Sequence, residues 1–130
     1  MKNKFILALI YITIFFNSNT LSEVNEKILK IGLLAPLSGN YSELGNSLLY
    51  SLQLALEEID DEGVVIVPRD SGFDDKEKLN NAIQDIQSQG IKIIIGPIIY
   101  EQFDQVKKYN DLIFISPSNI NPEFTNNIIS

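Results

Sequence analysis

The sequence predicts an α/β fold, a Rossmann-like parallel sheet with helices on both faces, and three observations carry that prediction. Short aliphatic runs recur at Ile28–Ala35, Val64–Val67, Ile91–Ile95 and Leu112–Ile115, and near-continuous runs of this kind mark strands covered on both sides. The segments between them repeat apolar residues at helical spacing. Strand and helix then alternate along the chain, an order that requires right-handed crossovers and parallel pairing.

Each element has its own signal. Ile28–Ala35 runs into Pro36-Leu37-Ser38-Gly39, a small-residue loop that opens the first helix. A strand, such a loop and a helix N-terminus together turn backbone N–H groups toward a ligand. Leu44, Leu48, Leu49, Leu52, Ala55, Leu56 and Ile59 form one apolar stripe on that helix, and Gly63 is expected to end it. Val64–Val67 is the second strand. Pro68 has no N–H, so pairing stops there or the strand lies at an edge.

Asp74-Asp75-Lys76-Glu77 reads as a capping box, with Asp74 at N-cap and Glu77 at N3. Leu79, Ala82, Ile83 and Ile86 make the buried stripe of the second helix, and Gly90 closes it. Ile91–Ile95 is a buried strand ending in Gly96-Pro97. A shorter helix over Ile99–Tyr109 turns Ile99, Phe103 and Val106 inward. Leu112–Ile115 is the fourth strand, followed by the polar loop Ser116–Asn121. Asn126–Ser130 reads as the start of a further aliphatic strand. Because natural sheets seldom leave such an edge open, the chain is expected to be the N-terminal part of a longer protein.

Residues 1–22 stand apart from this pattern. Lys2 and Lys4 precede the 12-residue apolar run Phe5–Phe16, and polar and small residues follow at Asn17–Ser22. That is the layout of a secretory signal peptide, and the run falls short of the roughly 20 residues of a membrane span. Thr20 and Ser22 suit cleavage before Glu23, while Ser18 and Thr20 suit a cut two residues earlier. Residues 23–130 are then one domain, exported to the periplasm, with no stable membrane insertion after cleavage. The absence of Cys excludes a lipid-modified cysteine and any disulfide.

The signal segment removes two lysines and no acid, leaving eight basic and 17 acidic residues, a net charge of −9. Such a surface repels nucleic acid, and no basic patch offsets it. Glu57–Glu62 could meet a cationic partner, although a solvated helix face explains it as well. With no His and no Cys, no Ser-His or Cys-His nucleophile pair exists, so an enzyme is not expected. Neither G-x-G-x-x-G nor G-x-x-x-x-G-K-[ST] occurs, and the spacing of Asp70, Asp74 and Asp75 misses the calcium-loop pattern. No cofactor and no metal are expected.

Four loops, Pro36–Gly45, Arg69–Asp75, Gly96–Tyr100 and Ser116–Asn121, follow the carboxyl ends of strands, where open α/β sheets bind ligands. Candidate ligand residues on them are Ser38, Gly39, Tyr41, Asp70, Tyr100, Ser116 and Ser118. The serines also suit plain loop hydrogen bonding, and the tyrosines suit packed lids. Arg69, the single arginine, could pair with an anionic ligand, with Asp70 or with a partner carboxylate, or simply terminate the sheet edge.

The run IGLLAPLSGNYSELG, then IIGP at Ile94–Pro97, then a helix and IFISPSN, resembles the type I periplasmic binding proteins of the leucine-binding kind, over essentially all of residues 28–130. The resemblance implies two Rossmann-like lobes closing on a ligand, of which this chain supplies the incomplete first. VVIVPRDSG at Val64–Gly72 is similar to the penicillin-binding protein activator branch. Amino-acid binders commonly carry a serine just after the IIGP turn and an aromatic near the first loop; here Tyr100, beside Glu101, and Leu44 stand at those places. The resemblance therefore implies a non-enzymatic partner of peptidoglycan synthases, with a small polar ligand as an added expectation. The alternative is the solute-binding component of a branched-chain or other amino-acid ABC transporter, whose partner is the permease.

Overall fold

The computed structural model describes residues 28–60, 62–117 and 127–129. The signal segment and Ser118 lie outside the described residues. Five strands, β1 (Leu29–Ala35), β2 (Val64–Asp70), β3 (Ile93–Ile95), β4 (Ile113–Ile115) and β5 (Ile128–Ile129), form one sheet in the order β2-β1-β3-β4-β5. Every pair is parallel. The fold is the expected α/β sheet, and the strand started at Asn126–Ser130 is β5.

β2 runs past Pro68 to Asp70, pairing Leu33 with Pro68. It can do so because β2 is the edge strand, where a missing N–H breaks no second ladder. β3 and β4 begin later than their aliphatic runs suggest. Ile91 and Leu112 are buried approaches to these strands rather than paired members.

Helix α1 spans Ser42–Ile59, α2 spans Lys76–Ser88, and a 3₁₀ turn at Tyr100–Gln102 leads into the single-turn α3 at Phe103–Val106. The expected continuous helix over Ile99–Tyr109 is thus a tighter turn plus one α turn, with Ile99, Phe103 and Val106 inward as expected. α1 ends at Ile59, four residues before Gly63. Asp60 takes the left-handed conformation (φ 54°) and its N–H bonds back to Leu56 O, a role that aspartate tolerates better than most residues. Gly63 instead offers its carbonyl to the Leu29 N–H at 2.6 Å, joining β1 to the turn before β2.

α2 is capped by Asp75, not Asp74: the Asp75 carboxylate accepts from the Lys78 N–H at 2.9 Å. The N3 residue is therefore Lys78 and not Glu77, which brings an ammonium group to the carboxyl edge of the sheet. Gly90, at φ 74°, closes α2 as expected.

The core lies on one face. Leu79, Ala82, Ile83 and Ile86 of α2, with Phe103 and Val106 of α3, pack on Leu34, Ile94, Phe114 and Ile128. α1 lies alone on the other face, over β1 and β2. Among the described residues nothing flanks it, so its apolar stripe is only half covered. Leu48, Leu49, Leu52 and Leu56 are half-buried, Leu44, Ala55 and Ile59 are exposed, and Gly45 alone is buried. A β-carbon on Gly45 would stand 2.0 Å from the Pro36 carbonyl oxygen, so glycine is what lets the first turn of α1 press on its own entry loop.

Candidate functional site

The strand order reverses at β1, which has β2 on one side and β3 on the other. The loops leaving β1 and β3 therefore part company, and the crevice so opened is where open α/β sheets take ligands. Asp70, the last residue of β2, builds the first side of that crevice. Its Oδ1 accepts the Leu37 N–H at 2.9 Å and the Gly72 N–H at 3.0 Å. Its Oδ2 pairs with Lys78 Nζ at 2.6 Å, and the same ammonium donates to Ser38 Oγ at 2.8 Å. One carboxylate thus fixes the loop after β1, the loop after β2 and the first turn of α2. Burial pushes its carboxyl up, but the bonds from Lys78, Ser38 and the Gly72 and Leu37 amides outweigh burial and hold it well below the usual carboxylate range.

Arg69 pairs with a carboxylate other than that of Asp70. Its Nε donates to Asp85 on α2 and its Nη1 to the Pro68 carbonyl at 2.7 Å, so it braces the edge strand.

Gln102 joins the second loop to the third. Its side-chain N–H₂ lies 3.1 Å from Ser71 O, 3.0 Å from Gly72 O and 3.5 Å from Phe73 O. Its carbonyl oxygen, Oε1, is buried with no hydrogen-bond partner. Phe73, held by this stitch, stacks on Tyr41 from the first loop, with ring centroids 4.3 Å apart and planes at 21°. Tyr41 and Phe73 remain about 40% exposed and Tyr100 50% exposed. Tyr100 sits on the third loop with its ring 5.9 Å from that of Phe103.

Ser38, Gly39, Tyr41, Asp70 and Tyr100 therefore stand along this edge. Gly39 is exposed at φ 76° and supplies the turn before α1, its carbonyl accepting the Ser42 N–H at 3.1 Å. Ser116 follows β4 but is buried, and its hydroxyl donates to the Pro97 carbonyl at 3.0 Å, tying the fourth loop to the third. Ser118 lies outside the described residues.

Three residues of the edge escape sequence reading: Phe73, Lys78 and Gln102. Phe73 left a faint signal as a lone aromatic in a polar loop. Lys78 and Gln102 left none, because charged and amide residues at helix starts are ordinarily solvated.

An open cleft of about 590 Å³ lies at the opposite, amino end of the strands, lined by Lys30, Gln89, Lys92 and Ile93 among others. Lys92 there already pairs with Asp111 at 3.2 Å, and none of the strand-end loops reaches it.

A parallel sheet with its reversal at β1 and its loops gathered at the carboxyl edge is a Rossmann-like α/β lobe. The chain belongs to the periplasmic binding protein family, whose sequence profile matches residues 28–129. Its architecture is that of the first lobe of the type I periplasmic fold. It is 28% identical over 115 residues to an uncharacterized protein of Methanocaldococcus jannaschii, covering 81% of this chain and 28% of that protein. It superposes on a leucine-binding protein, LivK, of Thermotoga maritima with a TM-score of 0.65 at 21% identity, covering 78% of this chain and 31% of that one. Full-length LpoA of Haemophilus influenzae gives a TM-score of 0.62 at 20% identity, covering 78% and 18%. The chain thus spans less than a third of the length of these relatives.

Proposed function

We propose that this chain forms the first lobe of an exported, non-enzymatic receptor whose carboxyl-edge loops bind a small solute and report its capture to a membrane permease. One observation carries the reading: bonds within the chain join the loops of this edge and leave aromatic rings exposed on it. Asp70 and Gln102 lock three loops together, yet Tyr41, Phe73 and Tyr100 are left facing solvent. Exposed aromatics on loops braced against one another, at the strand ends where open α/β sheets take ligands, suit a solute site. The signal-peptide layout of residues 1–22 supports export, and the leucine-binding neighbour supports the class of solute receptor.

The full-length secreted protein should be melted against panels of amino acids, aromatic acids and organic amines. A bound solute at 100 times its Kd stabilises the fold by about 2.7 kcal/mol, which moves Tm by several degrees. No shift with any panel, together with capture of a peptidoglycan synthase, would overturn the solute reading.

That second outcome belongs to the other reading, an activator of penicillin-binding proteins. The Val64–Gly72 run, Tyr100 in place of the carboxylate-binding serine, and the likeness in fold to LpoA support it. The place of the stacked Tyr41–Phe73 pair, at the carboxyl ends of the strands where open α/β sheets take ligands, supports the solute reading ahead of it.

A further inference from the structure

We infer that the solute taken at this edge is an organic cation, an ammonium compound held against the Tyr41–Phe73 pair; the inference rests on the solute-binding reading above. Three independent features point the same way.

The first is the aromatic surface. The faces of aromatic rings carry negative charge density and attract ammonium groups within about 6 Å of the centroid. Tyr41 and Phe73 are stacked so that each fixes the other, and both keep two-fifths of their surface open. Tyr100 stands on the loop that Gln102 stitches to the carbonyl of Phe73 itself. Three exposed aromatics therefore sit on loops that are bonded to one another.

The second is charge. Glu43, Asp74, Glu77 and Glu101 lie in the loops and first turns of this edge, and none makes an ion pair among the described residues. The ammonium of Lys78 is held by Asp70 and Ser38, leaving Lys76 as the counterweight. The positive end of α1 faces Glu43 in its own first turn, and that of α2 is occupied by the Asp75 cap. A carboxylate-bearing solute would meet like charge here; a cation would meet attraction.

The third is Gln102 Oε1, on a residue only 2% exposed. An amide oxygen without a donor leaves the negative end of its dipole unneutralised. It lies where the second loop meets the third, on the same turn as Tyr100 and two residues from it. The group need not touch the solute to favour a positive one.

The test is calorimetric titration of the full-length protein with choline and with tetramethylammonium, using 3,3-dimethyl-1-butanol as the uncharged carbon isostere of choline and leucine and benzoate as anion-bearing comparators. The ammonium compounds should bind and the isostere should not. Phe73→Ala should weaken choline binding roughly five- to thirtyfold. Phe73→Leu, which keeps the apolar contact but removes the ring, should lose most of the same affinity. Glu101→Gln should weaken it several-fold, less so at high salt. Phe73 and Glu101 are exposed, so the variants should melt near the parent. Equal binding of choline and its isostere would overturn the inference. Binding of leucine or benzoate without any cation would overturn it while leaving the solute reading intact. Binding of nothing, with capture of a peptidoglycan synthase, would overturn both.

Discussion

Asp70 shows how one side chain can organise an edge that no backbone ladder reaches. Beyond Ala35 the strand β1 has no further sheet partner, and the Leu37 and Gly72 N–H groups would otherwise face water or a ligand. The carboxylate takes both and uses its second oxygen to hold Lys78. Its folded pKa is lowered from an ordinary aspartate value near 4. The stability it contributes is therefore present above about pH 4 and lost as the pH falls below that. Urea melts at pH 7 and pH 3 should show the parent losing more stability than Asp70→Asn over that interval. Equal losses would mean that the carboxylate is not coupled to folding. The choice of Asp70 as an edge residue was legible because it follows a strand; its partners were not, because Lys78 is eight residues on and Ser38 is in another loop.

At the scale of the element, α2 illustrates how two registers of one motif compete. The run Asp74-Asp75-Lys76-Glu77-Lys78 offers an N-cap aspartate in either position, and the box pattern favours Asp74 because it puts a glutamate at N3. The backbone decides otherwise. Asp75 is the residue in extended geometry, φ −118° and ψ 95°, from which its carboxylate reaches the third N–H. Asp75→Ala should cost about 1 kcal/mol in chemical denaturation, and Asp74→Ala should stay within about 0.5 kcal/mol of the parent. The reverse ranking would restore the earlier register. The stripes of α1 and α2 were both legible from spacing, yet they met different fates. Spacing reports which face of a helix is apolar, whereas cover depends on what lies across the sheet, and that is decided by strand order.

The whole molecule carries that asymmetry to its limit. Strand order and parallel pairing followed from the alternation of elements, and the crevice at β1 followed from the order. The row Leu33–Ile95–Ile115–Ile129, on the face of α1, runs across the sheet by register. It is fully buried at Leu33, 41% exposed at Ile115 and 58% exposed at Ile129. Parallel sheets are normally covered on both faces, whereas among the described residues this half of the second face is an exposed aliphatic row. The chain prepared by itself should bind a hydrophobic dye and scatter light as its concentration rises. Ile115→Lys with Ile129→Lys should reduce both signals. An unchanged dye signal would show that the row is shielded by another part of the chain.

The open row also has a meaning in time. A sheet that completes one face through α2 and α3, elements close in sequence, can form early, and its other face then waits for more distant contacts. During that wait the isoleucines are what a folding catalyst, a protease or a neighbouring nascent chain encounters. The longer that row stays uncovered, the more such encounters it meets.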